Sequence, residues 1–389
     1  MKKNNLFENQ GDGVVGMEDW SEEAIISEPG GDNALTEAGR EKYCTPAEAG
    51  DLVDQGWGAV DMHVHTWHSY DVLPVKAHDP LMLYEKARKK GFRFITFTDH
   101  DTMDAYDQVG WTREGIVPGV EIKILDPKRV GHTLHINVYE LNKKQFLELE
   151  DIAAKDKNLE TFLQYLWDHR LNYTYNHPFW HEGAEKPNIQ AIFEIAPLFP
   201  VIEYNMGRVS LLNQQAMRLA EFTGAGVAAG TDTHIGCIGF TYTLAQGETF
   251  KEFFQQIKAG CSYIVPRDMN PTRFTYEAAA RLKNLFEKER WLFEKPSFHI
   301  NAGIRFVDRL VEKLVRSESQ GKFGVKKILQ YIMEGILQTG IPASLYIKSQ
   351  QALGARVYQA FSRITQPARE MQEVINSELQ KTGVLAGWV

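Results

Sequence analysis

The hydrophobic positions between residues 57 and 270 follow two alternating patterns. Short runs rich in β-branched and aromatic residues predict seven strands, at residues 59–64, 92–98, 116–122, 134–139, 173–176, 201–204 and 227–231. Apolar residues at helical spacing predict helices at residues 80–90, 143–170, 211–222 and 250–259. The first helix is well delimited, because Asp79 and Pro80 suit its start and Gly91 its end. This alternation indicates an α/β protein, with an open sheet or a closed β/α barrel.

The two ends of the chain differ from this middle part. Residues 1–56 are rich in Gly, Asp, Glu and Asn with little periodicity, which predicts a loose acidic arm. The glycines at 11, 13 and 16 form a GxGxxG, but no strand precedes them, so a dinucleotide site is not expected. Residues 271–389 show helical periodicity alone, for example at 304–314 and 346–363, and predict an all-helical C-terminal region. We interpret that region as a cap or an oligomerisation module, and residues 57–270 as the domain that carries the chemistry.

Composition narrows the classes of function. With 43 basic and 51 acidic residues, the chain is not expected to carry the broad basic surface that stable nucleic-acid binding needs, although a local basic pocket for one phosphate remains open. Its three cysteines are scattered without a CxxC pair, which predicts a reducing compartment rather than a disulfide framework. The sequence shows no signal-peptide pattern, and its most apolar late stretch, residues 328–347, is interrupted by polar residues and a proline. We therefore expect a cytoplasmic protein without a transmembrane segment, with a small phosphorylated substrate and a helical region that binds a second copy or another protein.

Histidines are concentrated where the predicted strands end. Six of the twelve lie at or just beyond a strand end, each beside another side chain that can bind a metal. Side chains two residues apart in a strand point to the same side, so the first two of these histidines can share one ion. In β/α barrels the C-terminal strand ends converge on one face, where all these side chains would meet. The candidate metal ligands are His63, His65, Asp71, His100, Glu121, His135, His177, Asp232 and His234.

The number and type of these candidates indicate a multinuclear centre. Nine side chains are too many for one tetrahedral zinc, and they suit two or three divalent ions that share a bridging carboxylate. A mixed imidazole and carboxylate set favours zinc, manganese or iron. Such ions lower the pKa of bound water to about 7 and neutralise phosphoryl charge, which predicts phosphoester hydrolysis by a metal-bound hydroxide. Asp61 and Asp99 are candidates to orient the ligand imidazoles, and Arg208 is a candidate to bind a phosphate. The other histidines, including His78, are interpreted as structural.

Five motifs in order resemble the PHP family, named for polymerase and histidinol phosphatase, in its stand-alone phosphatase form. They are DMHVHT at 61–66, FTDHDT at 97–102, GVEI at 119–122, NHP at 176–178 and GTDTH at 230–234, within residues 57–268. The resemblance implies a distorted seven-stranded β/α barrel with a trinuclear site. It implies three ligand sets: His63, His65, Glu121 and Asp232 for the first ion; Glu121, His135 and His177 for the second; Asp71, His100 and His234 for the third.

The leading functional prediction is hydrolysis of a phosphomonoester, such as a small nucleotide, a sugar phosphate or a related metabolite. A phosphodiesterase or 3'-5' exonuclease on short nucleic acid is the main alternative. An amidohydrolase also begins with HxH, but that class often bridges two metals with a lysine, where this chain has Glu121. A non-catalytic metal-binding interaction protein is the remaining alternative, although structural sites are usually rich in thiolates.

Overall fold

The computed structural model describes residues 41–182, 185–287, 290–295, 298, 309 and 323–381, with side chains of the last range covered from 327 to 365. The glycine motif at 11–16, most of the predicted arm and the helical pattern at 304–314 lie outside or almost wholly outside these residues. The described part is a mixed α/β fold, as the sequence predicts.

The strands are β1 Gly58–Val60, β2 Gly119–Leu125, β3 Thr133–Tyr139, β4 Asn172–Tyr175, β5 Val201–Asn205, β6 Gly226–Gly230, β7 Tyr242–Ala245 and β8 Ser262–Val265. They form two sheets. A five-stranded sheet has the order β2-β3-β4-β5-β6, in which β3 runs antiparallel to β2 and β4, whereas β4, β5 and β6 are parallel. An antiparallel three-stranded sheet has the order β1-β7-β8.

The strand predicted at residues 92–98 is wrong, and so is the extension of β1 to residue 64. Both segments make only single bridges, Ile95 to Ile116 and Val64 to Thr233. Side-chain hydroxyls take the place of a neighbouring strand there: the Phe97 N–H donates to the Tyr106 hydroxyl at 2.8 Å. The sheets are consequently joined by isolated bridges, and one closed seven-stranded sheet is not shown. The hydrophobic pattern does not predict β7 and β8, which have only four residues each.

The helices lie between and after the strands. The helix predicted at residues 80–90 is confirmed over Pro80–Lys89, since the Asp79 side chain accepts from the Leu81 N–H and Gly91 follows the helix with φ +80°. The prediction of a single helix over residues 143–170 is wrong, because a π-helical turn separates two helices and Lys157 adopts φ +49°. The helices are α1 Pro46–Asp54, α2 Pro80–Lys89, α3 Asp104–Val109, α4 Lys143–Asp151, α5 Leu159–Asp168, α6 Ile189–Ile195, α7 Ser210–Thr223, α8 Phe250–Lys258, α9 Pro271–Phe286, α10 Phe323–Gln338 and α11 Ile341–Lys381.

Residues 41–56 correct the prediction of a loose arm for their part of the chain. Thr45 and Glu48 form a capping box that begins α1. The preceding residues attach to β8, because the Cys44 N–H donates to the Ile264 carbonyl at 3.0 Å. Ala49 is then fully buried against the core. A reciprocal cap and a backbone pairing thus order a segment whose composition suggested a coil.

The described part of the C-terminal region is helical, as predicted, and packs on the α/β domain. Leu353, Val357 and Phe361 of α11 are buried in the main hydrophobic cluster. Gly354 lies against Leu211 of α7, where an added Cβ would meet the leucine at 2.8 Å. None of the helices in the described ranges combines the length and hydrophobicity needed to cross a membrane.

Candidate metal centre

Glu121 of β2 is the centre of a buried cluster of imidazoles. Its side chain is fully buried, and its Oε2 lies 3.2 Å from His63 Nε2, 3.4 Å from His65 Nε2 and 3.0 Å from His100 Nδ1. The pleat of β2 directs this side chain inward within a run of apolar residues. One carboxylate oxygen therefore faces three ring nitrogens from two separate segments.

The second oxygen of Glu121 faces two more histidines. Oε1 lies 3.0 Å from His135 Nδ1 and 3.4 Å from His177 Nε2. It also accepts a hydrogen bond from the Asn176 amide at 2.8 Å. Both oxygens are thus placed as a bridging carboxylate would be.

Asp232 closes the first ligand set. The Nε2 atoms of His63 and His65 are 3.0 Å apart, and Asp232 Oδ1 lies 3.5 Å and 3.1 Å from them. Two atoms bound to one zinc at about 2.1 Å are roughly 3.0–3.4 Å apart when the angle at the ion is octahedral to tetrahedral. The spacing of these donors suits one shared ion, with Glu121 as a further ligand.

Asp71 and His234 lie on the other side of His65 and His100. Asp71 Oδ2 is 2.9 Å from His234 Nε2 and 3.5 Å from His100 Nε2. The ligand-type atoms of His65, His100 and His234 all lie within 4.8 Å of one another. The structure therefore brings all nine predicted ligands together in one cluster, in which Asp71, Asp232 and His234 are partly exposed.

The donor orientations also fit metal binding. His100 Nδ1 is buried and makes no hydrogen bond within the described part of the chain, although Glu121 Oε2 is only 3.0 Å away. Asp71 Oδ1 is likewise buried without a hydrogen bond from any described residue. Such orphaned atoms are costly in a dry interior unless something binds them. An ion between converging lone pairs would satisfy them.

Charge pairing within the cluster keeps the carboxylates ionised. Burial opposes ionisation of Glu121, but the adjacent His63 and His100 outweigh it and hold its pKa well below the usual range. The same balance lowers the pKa of Asp71, where His234 and His100 are the partners. Metal ligands must be deprotonated, so ionised carboxylates are ready donors. A bound cation would replace the imidazole protons as their counter-charge.

Glu203 orients His63, a role that the sequence analysis did not assign to it. Its Oε1 lies 2.7 Å from His63 Nδ1. Its Oε2 accepts from the His177 backbone N–H at 2.8 Å and from the Asn205 amide at 3.0 Å. A lone glutamate within the apolar β5 run was the available signal, and it is the same signal that identified Glu121.

Asp61 and Asp99, predicted to orient imidazoles, have a different role. Asp61 accepts from the backbone N–H groups of Thr231 and Gly239, both at 2.9 Å, and burial raises its pKa to about 6. Asp99 accepts from the Thr66 N–H at 2.6 Å and from its hydroxyl at 2.7 Å. Among the described residues, neither carboxylate hydrogen-bonds a histidine ring. Both instead fix the loops that carry the ligands.

Two ligands occupy strained backbone conformations. His177 has φ +26° and Asp232 has φ +51°, outside the regions that such residues prefer. Each is held by a hydrogen bond from its own N–H, to Glu203 for His177 and to the His63 carbonyl at 2.8 Å for Asp232. Strain of this kind costs about 1–3 kcal/mol and is often concentrated at functional sites.

Arg208 lies at the edge of the cluster, as its prediction requires. One guanidinium nitrogen is 3.7 Å from Asp232 Oδ2, and the guanidinium carbon is 5.6 Å from the centre of the Trp180 ring. Its Nε is buried and donates no hydrogen bond to any described residue. The side chain therefore has donor capacity left for an anionic ligand.

Comparisons with known proteins give only distant likenesses. No protein-family model and no curated protein matches the chain. PsfC from Pseudomonas syringae is 15% identical over 59% of this chain and 98% of its own, with a TM-score of 0.41. A proposed metal-dependent phosphoesterase from Bifidobacterium adolescentis is 14% identical, covering 45% and 87% of the two chains, with a TM-score of 0.32. The lesion-specific endonuclease PfuEndoQ from Pyrococcus furiosus is 15% identical, covering 54% and 57%, with a TM-score of 0.39. At this level of similarity none of them assigns a function to this chain.

Proposed function

We propose that this protein is a metal-dependent hydrolase that cleaves a phosphomonoester, the stand-alone phosphatase type of the PHP family. The observation that carries the proposal is the convergence of nine ligand-type side chains, Glu121 among them, in one cluster. Paired or triple cations suit phosphoryl chemistry, because they neutralise the charge on several oxygens at once. The two sheets and their connecting bridges would then be a distorted form of the family barrel.

The geometry supports an assignment of ligands to ions. The first ion would take His63, His65, Glu121 and Asp232; the second Glu121, His135 and His177; the third Asp71, His100 and His234. Distances of 2.9–3.5 Å between carboxylate oxygens and ring nitrogens within these sets support it. Zinc, manganese or iron fits the mixed donors.

When bound, the ions would lower the pKa of a water molecule and stabilise negative charge on the phosphoryl oxygens. The chain itself has to bind and orient the substrate. Arg208 would bind two phosphoryl oxygens, since its guanidinium faces Asp232 at the edge of the cluster and retains unused donors. Trp180 would limit the motion of that guanidinium, because the guanidinium lies over the indole ring.

A phosphate-release assay tests the proposal. Nucleotide and sugar phosphates would be screened with zinc, manganese or iron, using the wild-type protein and His177→Ala. His169→Ala is the matched control, because His169 is exposed directly after α5 and its contacts are to Tyr165, through a hydrogen bond to the carbonyl and stacking on the ring. We expect activity in the wild type and the control and its loss in His177→Ala. Full activity in His177→Ala would contradict the ligand assignment.

The preference for a monoester needs its own comparison. Hydrolysis rates of an aryl phosphate and a bis-aryl phosphate would be measured side by side under the same metal conditions. We expect faster turnover of the monoester. A strong preference for the diester would replace the proposal with the phosphodiesterase alternative.

A further inference from the structure

Lys295 is a buried lysine that the chemistry described so far does not use. Its side chain lies in the segment after α9 and is only 7% exposed. The ammonium donates to the carbonyls of Trp67 and Val72, each at 2.6 Å, and to that of Ser69. An ammonium has three donors, so this group is fully satisfied by one loop.

That loop carries part of the candidate metal centre. Asp71 lies between two of the carbonyls that Lys295 binds. The Ser69 hydroxyl lies 3.1 Å from His65 Nδ1 and accepts from the His100 backbone N–H at 3.0 Å. The loop therefore supplies one ligand and supports two others.

Further contacts attach the same C-terminal segment to the loop. The Leu292 N–H donates to the Pro74 carbonyl at 2.9 Å. The Phe293 ring meets the Trp67 ring edge to face, with centroids 5.4 Å apart. The lysine is thus one of several contacts between residues 290–295 and the loop.

A small apolar cluster completes this attachment. Leu73 and Val75 of the loop are buried with Leu285 and Phe298, and Trp291 packs against them. This cluster is separate from the main hydrophobic core. It anchors the segment on the outer side of the loop, while Asp71 faces the histidines on the inner side.

We propose that Lys295 is a positioning residue that holds the Trp67–Val72 loop so that Asp71 can bind the third ion. This inference rests on the proposed function for the identity of that ion. Without the ammonium, three converging carbonyls would lose their shared donor and repel one another, and the loop would relax. The first two ion sites contain no ligand from this loop, although the Ser69 hydroxyl contacts His65 of the first set, and we expect both sites to persist. The C-terminal region is then part of the metal centre and not only a cap.

Measurement of the bound metal distinguishes this positioning role from a general contribution of Lys295 to folding stability. Wild type, Lys295→Met, Asp71→Asn, the double variant and Lys258→Met would be loaded with zinc, and bound zinc per chain measured after gel filtration. Lys258 is an exposed lysine at the end of α8 and serves as the control. We expect Lys295→Met to lower the affinity for one of the ions about 10–100-fold, which is the usual effect of losing a group that supports a ligand. Asp71→Asn should lose the same ion, and the double variant no more than Asp71→Asn alone. Lys295→Arg, which keeps the charge and several donors, should recover part of the binding.

Hydrogen exchange of the loop amides gives a readout that needs no metal. Exchange of residues 67–75 should rise in Lys295→Met and remain unchanged in Lys258→Met, in metal-free protein. Wild-type zinc content in Lys295→Met would overturn the positioning role. A wild type that binds no zinc, with faster loop exchange in Lys295→Met, would overturn the proposed function and leave the loop contact intact. Unchanged exchange would overturn the inference in either case.

Discussion

Glu203 Oε1 lies 2.7 Å from Nδ1 of His63, and both side chains are buried. A carboxylate accepts a hydrogen bond from the N–H of this nitrogen, so the lone pair of His63 belongs on Nε2, the atom that faces His65 and Glu121. One glutamate thereby fixes the tautomer and the ring angle of a candidate ligand. Its second oxygen holds the strained backbone of His177.

Glu203→Gln is therefore expected to weaken metal binding while leaving every candidate ligand in place. A glutamine is nearly the same size but presents a weaker, uncharged acceptor to His63. Loss of such a partner typically costs about 10–100-fold in metal affinity. Competition with a chromophoric chelator measures the change. Glu194→Gln, on the exposed side of α6, is the control and should bind as the wild type does; equal affinities in the two variants would refute the orienting role.

Gly230→Ala should disrupt the site through close packing rather than chemistry. A Cβ at Gly230 would lie 2.3 Å from the His63 Cβ and 2.9 Å from Glu203 Oε1, so the backbone or His63 must shift. Overpacking of this kind costs typically about 1–3 kcal/mol. We expect urea unfolding to show that loss and metal analysis to show weaker binding. Gly50→Ala is the control, because its Cβ meets nothing within 4 Å inside α1 and should stabilise by about 0.5–1 kcal/mol. Wild-type stability in Gly230→Ala would contradict the contact.

The candidate ligands were predictable because metal sites require particular residue types at strand ends. Glu121 was identifiable as a lone carboxylate in an apolar run, and His63 and His65 by their two-residue spacing. Glu203 has the same signal as Glu121, a lone carboxylate in an apolar run, but the sequence does not show that its oxygens face His63 and the His177 backbone. The role of Asp61 was mistaken because adjacency in sequence does not reveal that its oxygens bind the backbone of Thr231.

Contacts across long sequence separations could not be predicted. Lys295 binds a carbonyl 228 residues away, and no local pattern indicates such a partner. The prediction of a strand at residues 92–98 was wrong for a related reason, since the backbone N–H of Phe97 donates to the side chain of Tyr106 rather than to a neighbouring strand. Periodicity identifies which residues are buried, but not which group satisfies each backbone donor.

Arg208→Ala is expected to impair substrate binding more than turnover. A hydrogen bond to a charged group contributes about 1.5–3 kcal/mol, so KM for a phosphomonoester should rise roughly 10–150-fold. Arg208→Lys should recover only part of this, because an ammonium cannot bind two oxygens side by side. Steady-state kinetics with an aryl phosphate gives both parameters. Arg129→Ala, at an exposed position between β2 and β3, is the control; an unchanged KM in Arg208→Ala would exclude a phosphate-binding role.

His78 gives a pH dependence of stability that is separate from the metal ligands. Its Nδ1 lies 2.7 Å from the Leu73 carbonyl and donates to it, and burial lowers its pKa to about 4. In the unfolded chain the same ring takes up a proton near pH 6.5. The unfolded state therefore binds more protons between pH 4 and 6.5. The contribution of His78 to stability is complete above pH 6.5 and is lost as the pH falls towards 4, by up to about 3 kcal/mol.

His78→Asn should flatten this dependence, because an amide can donate to Leu73 but does not titrate in this range. The free energy of unfolding would be measured in urea at pH 7 and pH 4.5 for both proteins, with a chelator present. The candidate ligand histidines then contribute equally to the pH dependence of both proteins. The difference between the two losses of stability is therefore due to His78. We expect the wild type to lose more stability than His78→Asn on acidification. Parallel losses would show that His78 is protonated at the same pH in the folded and unfolded states.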